Sequence, residues 1–381
     1  MSLMKEVNVY TNGEPEKLST FSNVPYFFIQ SLRKLNIKVN PINIEPNAVW
    51  GKNWNRFILR LIRLIIPNSM FAYDRTTLND WDTRRKIRKA VKEYPNSQAE
   101  IFLTFIANAK GISKAPTVLL SDWNYEYVIE HFWEKKPDFF QKRAIRRQDK
   151  LMNDSDHIFF LFPGSMRIMQ EKYKNPQIHY LGNFVNCLLE PKKSQESIEK
   201  KKQSRDLLFI GKNHYKEGAL TLLEAFKSIR EKYPDWVLHI IGMQAKDFDS
   251  LPEQVICYGY LDKEKVEEKL KFYELLERSK LFINTSPKWG AFSATLEALY
   301  FYNPIVVSPY DEFLENFGEK PNFGLYCSQN DPETLKKTIL DILESDQYEK
   351  LCQNAHEAVK DFTWDRVSER VIQEIGFQIE K

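Results

Sequence analysis

Residues 281–308, LFINTSPKWGAFSATLEALYFYNPIVVS, run from a β-rich stretch ending at Asn284, through a loop, into a helical pattern opening near Ser293, and out to a second β-rich run ending at Ser308. Parallel strands need a crossover, usually a helix, so this pattern predicts a parallel sheet covered by helices. The same alternation continues toward the N-terminus, where DLLFIG ends at Gly211, WVLHIIG at Gly242 and VICYG at Gly259. Between these runs, GALTLLEAFKSIREKY sets Leu222, Phe226 and Ile229 on one helical face, and DKEKVEEKLKFYELLERS reads as a helix capped by Asp262. The first half repeats the pattern less cleanly: KEVNVYT, a helix from about Asn23 to Leu35, AEIFLTF, PTVLLS, and HIFFLF followed by helical SMRIMQEKY. The predicted class is α/β, with two Rossmann-like domains built on parallel sheets.

The segment PKKSQESIEKKKQSR is charge-rich and without clear periodicity, as a linker should be. It divides the chain into residues 1–190, a linker at 191–205, a second domain at 206–360, and residues 361–381, a C-terminal helix that either packs on the second domain or crosses back to the first. With 381 residues, 43 % of them apolar, the chain can fill two cores. A 28 % charged content with only 13 glycines and 18 prolines excludes disordered and collagen-like classes. No apolar run approaches the 18 or so residues of a spanning helix, and the opening MSLMKEVNVYTNG has no apolar signal core, so a cytoplasmic protein is expected. Cys187, Cys257, Cys327 and Cys352 form no C-x-x-C pair and read as inert thiols.

Charge is distributed unevenly. Residues 1–190 hold 28 Lys and Arg against 19 Asp and Glu, whereas residues 191–381 hold 27 against 33. The basic half predicts an anionic partner. Within it, WNRFILRLIRLII (54–66) carries Arg56, Arg60 and Arg63 as a stripe on an otherwise apolar helix, which reads either as an interfacial membrane helix or as a buried helix whose arginines snorkel. Basic clusters at 84–92 and 142–147 favour the membrane surface, and they lack the aromatic interleaving of a nucleic-acid groove, so no nucleic acid is expected.

The loop before Ser293 is the natural ligand site of such a fold. Ligands sit at the carboxyl ends of parallel strands, and a helix N-terminus offers unpaired N–H groups to an anion such as phosphate. Gly290 permits close approach, Ser293 and Thr295 add hydroxyls, and Glu297 stands one turn into the helix, in reach of ribose hydroxyls. A second strand-to-helix joint, Gly211 to Gly218, carries Lys212 and Lys216, two ammonium groups suited to a diphosphate. Asp80-Trp81-Asp82 forms a D-x-D triplet that reads as a charged helix start, not a metal site.

Taken together and in this order, the two joints resemble the C-terminal domain of the large group-1 family of retaining GT-B glycosyltransferases. The resemblance rests on Gly211-Lys212 through Gly218 with Leu222–Phe226, and on Ser286, Gly290, Leu296-Glu297-Ala298 and Pro304-Ile305-Val306. It implies two Rossmann-like domains facing a central cleft, and transfer of a sugar from a nucleotide donor to a glycan or lipid-linked acceptor, with retention and without metal or cofactor. Residues 1–190 would be the acceptor side and 206–360 the donor side. Asp122, Lys212 and Lys216 are the implied catalytic residues. Ser22, Asn23, Gly211, Tyr260, Trp289, Gly290, Phe292, Ser293, Ala294, Thr295 and Glu297 are the implied donor-binding set.

Four positions depart from the family pattern, one of them Asp122, which stands where the family often has a histidine. Trp289 stands where the first glutamate of the Glu-x7-Glu pair belongs, Lys212 replaces an arginine, and Glu217 replaces the lysine before Gly218. Loss of that glutamate keeps a non-catalytic nucleotide- or sugar-binding protein as the alternative. As an enzyme, the protein is expected to serve cell-surface glycan, polysaccharide or glycolipid synthesis, at the inner membrane face through residues 54–66. On this reading Glu297→Ala weakens nucleotide binding without unfolding the protein.

Overall fold

A computed structural model describes residues 5–286 and 292–377. The chain divides into two compact units, residues 1–183 with 364–381, and residues 184–363. The first unit holds a six-stranded parallel sheet of β1 (Glu6–Thr11), β2 (Lys38–Asn43), β3 (Glu100–Phe102), β4 (Thr117–Ser121), β5 (His157–Phe160) and β6 (Ile178–Tyr180), in the order β2-β1-β3-β4-β5-β6. The second holds β7 (Asp206–Ile210), β8 (Val237–Ile241), β9 (Val255–Gly259), β10 (Leu281–Asn284), β11 (Ile305–Val307) and β12 (Gly324–Tyr326), in the order β12-β11-β10-β7-β8-β9. Read from the other edge, the second order is the 3-2-1-4-5-6 winding of dinucleotide-binding folds. Strand order reverses between β1 and β3 in one sheet and between β7 and β10 in the other, and ligands bind at such switch points.

Burial on both faces explains why the strands read as continuous apolar runs. Leu207, Leu208 and Phe209 in β7, and Leu281, Phe282 and Ile283 in β10, are all fully buried. Sequence reading overlooks β2, β6 and β12, which are edge strands with less apolar sequences. Asp262 does not cap the following helix, which runs Val266–Arg278 with Lys265 at its N-cap; the Asp262 carboxylate instead accepts from the Glu264 N–H at 3.0 Å.

The expected linker at 191–205 is largely a helix, Ser194–Gln203, with Ser197, Ile198 and Lys201 buried in the second unit. Its lysine-rich sequence conceals this packing, because Lys201 satisfies its ammonium inside the protein. The three N–H groups of Nζ are shared among four acceptors, the carbonyls of Leu276 at 2.7 Å, Glu277 at 3.0 Å and Ser279 at 3.1 Å, and Asn303 Oδ1 at 3.0 Å. Burial pulls its pKa down to about 7, whereas the carbonyls closing the Val266–Arg278 helix favour the charged form.

The Trp364–Glu374 helix belongs to the first unit. Trp364 packs on Phe27 and Phe28, and Ser31 Oγ donates to the Trp364 carbonyl at 3.0 Å. No described helix is long and apolar enough to cross a membrane.

Candidate functional site

At the switch point of the second sheet the two predicted joints come together. The chain leaves β7 at Gly211, makes a short 3-10 turn over Asn213–Tyr215, and enters the Lys216–Lys232 helix. It leaves β10 at Asn284 and starts another helix at Ser293. Two contacts lock them. A Cβ on Gly218 would lie 2.6 Å from Ser286 Oγ and 2.8 Å from Ser286 N, so only glycine fits there. Ser286 Oγ also donates to the Tyr215 carbonyl at 3.2 Å. Beside them, Gly242 adopts φ +101°, and a Cβ there would fall 2.4 Å from the Gly211 oxygen.

The result is a strand-end shelf with two helix N-termini and two lysines. The first intrahelical bond of the Ser293–Tyr300 helix runs from Leu296 N to Phe292 O, so the N–H groups of Ser293, Ala294 and Thr295 precede the ladder. Lys212 Nζ sits 5.0 Å above the Tyr260 ring, and Lys216 Nζ 5.9 Å above Phe248. Neither ammonium forms an ion pair among the described residues, which leaves both charges for a ligand. Burial, helped by the Lys212 charge, holds His214 below its ordinary imidazole range, so it adds little positive charge at neutral pH. Tyr260, half exposed at the end of β9, closes one side of the shelf.

Glu297 differs from expectation. It is 5 % exposed, and its Oε1 lies 2.5 Å from the ammonium of Lys263. Lys263 in turn stands 4.0 Å over Phe272 and 5.3 Å over Tyr273. Burial pushes the Glu297 carboxyl upward and Lys263 opposes that shift. Sequence reading missed Lys263, which lies in a lysine- and glutamate-rich run that looks solvated. The Phe292 ring is buried against Tyr310, Phe313 and Phe317. Trp289 and Gly290 lie outside the described residues.

Ser22, Asn23 and Asp122 lie in the first unit. Phe21, Ser22 and Asn23 take φ of 41°, 53° and 70°, three consecutive left-handed non-glycine residues between β1 and the Val24–Lys34 helix. Each costs roughly 1–2 kcal/mol, a strain that marks functional loops. Asp122 follows β4. Its Oδ1 accepts from Trp123 N at 2.9 Å and Ser121 Oγ at 3.2 Å, while burial pushes its carboxyl above the ordinary range. Of the D-x-D triplet, Asp82 pairs with Lys86.

The arginine-striped segment is helical from Ala48 to Ile65, with a π turn at Trp54–Ile58. Only Leu59 and Ile62 are buried on it; Trp50, Phe57 and Leu61 are more than half exposed, and Leu64 and Ile65 are each 81 % exposed. A buried helix with snorkelling arginines is therefore excluded, since the apolar residues themselves face outward. Trp54 points inward, donating from Nε1 to the Phe71 carbonyl at 3.0 Å.

Two doubly wound parallel sheets in one chain, the second with an anion-ready switch point, define the GT-B class. Residues 191–361 match the family model for glycosyl transferases group 1. The chain is 25 % identical over 260 residues to an uncharacterized glycosyltransferase of Haemophilus influenzae, a match covering 67 % of this chain and 69 % of that protein. Its fold is similar to sucrose-phosphate synthase from Thermosynechococcus elongatus, with a TM-score of 0.67 and 12 % identity over 97 % of this chain and 98 % of that one. It is also similar to Anabaena Alr3699/HepE in complex with UDP and glucose, with a TM-score of 0.62 and 14 % identity over 97 % and 98 %. The match over residues 191–361 and the two doubly wound sheets together give a glycosyltransferase of the GT-B fold.

Proposed function

We infer that the protein moves a sugar from a nucleoside diphosphate sugar to a glycan or lipid-linked acceptor, with retention, at an anionic membrane surface. The observation carrying this reading is the shelf between β7 and β10, where Lys212, Lys216 and two helix N-termini converge with no carboxylate among the described residues paired to either lysine. Charge there acts where it develops: as the anomeric C–O bond breaks, its electrons pass to the diphosphate oxygen, and fixed cations and N–H dipoles stabilise the departing nucleotide. The acceptor hydroxyl oxygen forms the new C–O bond, and its proton passes to the departing diphosphate oxygen. Tyr260 presents its backbone to the base, and Glu297, positioned by Lys263, holds the ribose; in the first unit Ser22, Asn23 and Asp122 are the residues assigned to substrate, with Asp122 accepting from a sugar hydroxyl. No metal or cofactor enters this scheme. A UDP complex in a protein of the same fold supports a uridine donor as the first to test.

The test is a thermal-shift panel of nucleoside diphosphate sugars, since a ligand at about 100 times its Kd adds about 2.7 kcal/mol. NMR of the anomeric proton then follows acceptor-free hydrolysis and the product's configuration. A panel without any stabilising donor overturns the reading. A second expectation isolates the phosphate grip: Lys212→Gln with Lys216→Gln weakens UDP by about 3 kcal/mol, at 1.5 kcal/mol or more per charged hydrogen bond, while uridine binding changes little. Titration calorimetry with both ligands checks it, and equal losses would mean that the lysines act through structure.

Membrane docking draws on the Ala48–Ile65 segment. Its exposed apolar residues would enter the acyl boundary while Arg56, Arg60 and Arg63 meet anionic headgroups. Trp50, Phe57, Leu61, Leu64 and Ile65 are the inserting set, and Trp54 is not.

A further inference from the structure

The connection from β3 to β4, residues 103–116, contains no helix. Where a crossover helix would pack, a cavity of about 490 Å³ lies between this connection, the first turns of the Thr77–Glu93 helix and the later turns of the Phe139–Asp154 helix. It belongs wholly to the first unit. Five cations line it, Arg75, Arg84, Lys110, Arg147 and Lys150, against three carboxylates, Asp74, Asp80 and Asp154.

The pairing within the wall is unequal. Arg75 is taken by Asp74 at 3.1 Å and Lys150 by Asp154 at 2.8 Å, and Lys110 lies 3.7 Å from Asp156. Arg84 and Arg147 have no carboxylate at ion-pair distance among the described residues. Arg84 Nη2 donates to the Lys110 carbonyl at 3.2 Å, and Arg147 Nη2 to the Arg75 carbonyl. Each guanidinium carries five donors, so most of both forks stays available. Burial pulls the Arg147 pKa down, with Asp80 opposing and Arg143 reinforcing the shift, as for a cation that has lost water without gaining a close counter-ion. On the same wall Asn79 is 2 % exposed and its Oδ1 has no hydrogen-bond partner. A guanidinium pair asks for an oxyanion, and an orphan amide oxygen asks for a hydroxyl donor.

We propose that this cavity binds a phosphate-bearing polyol or sugar, with the forks of Arg84 and Arg147 on the phosphate and Asn79 Oδ1 receiving a hydroxyl. Two sources carry that chemistry, a soluble sugar phosphate and the head group of a phospholipid. Binding here does not rest on the glycosyl-transfer reading.

The experiment is calorimetric titration of the full chain with glycerol 3-phosphate, and with short-chain phosphatidylglycerol below its micelle concentration, each with and without saturating UDP. Saturable one-to-one binding of glycerol 3-phosphate, unaffected by UDP, is expected. Arg84→Gln and Arg147→Gln should each weaken it about tenfold, and Arg147→Lys, which keeps charge but loses the fork, should fall between. Tighter binding of the short-chain lipid identifies a membrane source, and weaker binding a soluble one. Absence of saturable binding, unchanged affinity in both glutamine variants, or displacement by UDP overturns the proposal. Should Arg147→Gln fail to fold, hydrogen exchange of the wild type decides instead. Glycerol 3-phosphate should slow exchange in residues 74–84, 103–111 and 144–154, and slowing elsewhere or none at all refutes the site.

Discussion

Glu297→Ala is expected to destabilise the second unit by about 3–5 kcal/mol, the cost of leaving one member of a buried ion pair uncompensated. Sequence reading alone foresees only a loss of nucleotide affinity. The difference lies in Lys263, whose ammonium is 2.5 Å from Glu297 and enclosed by Phe272 and Tyr273, where water cannot replace the missing carboxylate. At roughly 2–4 °C per kcal/mol for a unit of this size, the melting midpoint should fall by about 6–20 °C. Lys263→Met in the Glu297→Ala background should restore at least half of the loss, because the stranded charge is then gone and the apolar stem remains. Chemical denaturation of the four proteins of this cycle measures the coupling. A single variant within about 1 kcal/mol of wild type would show that the pair is not what holds this helix. A nucleotide titration of the double variant then reports the ribose role with the stability effect largely removed.

Replacing Arg56, Arg60 and Arg63 together by glutamine should reduce binding to anionic vesicles roughly a hundredfold, at about 1 kcal/mol for each basic residue at a charged surface. Wild-type binding should weaken as salt rises, since exposed charges are screened over about 8–10 Å at 0.1–0.15 M. A second arm separates insertion from electrostatics: Leu64→Ser with Ile65→Ser should weaken binding to anionic vesicles while leaving its salt dependence in place, because these two side chains contribute apolar area and no charge. Co-sedimentation with anionic and neutral vesicles gives both readings. Wild type that ignores both vesicle types, or an arginine variant that binds as well as wild type, removes the membrane role and leaves a soluble acceptor.

Much of this protein is set by local sequence. The alternation of buried strand and amphipathic helix is a property of side chains a few residues apart, so β7, β8, β9, β10 and β11 and the helices between them are visible without coordinates. The Gly211–Gly218 joint and the Ser293 helix start are visible for the same reason, as is the arginine stripe. What local sequence leaves open is which distant groups meet in a dry interior. Lys201 and Lys263 sit in charged runs that read as solvated, yet both are buried. Each is held there by acceptors more than thirty residues away, Asn303 and the Leu276–Ser279 carbonyls for one and Glu297 for the other. The arginine stripe was equally compatible with a buried and an exposed helix, and only the outward placement of Leu64 and Ile65 decides between them. The sequence by itself determined the two-sheet architecture and the place of the strand-end shelf, because both follow from short-range periodicity and strand-end chemistry. Only the tertiary structure decided which charges are paired, which are spare and which apolar faces stay uncovered, because burial and ion pairing depend on neighbours that the order of residues does not bring together.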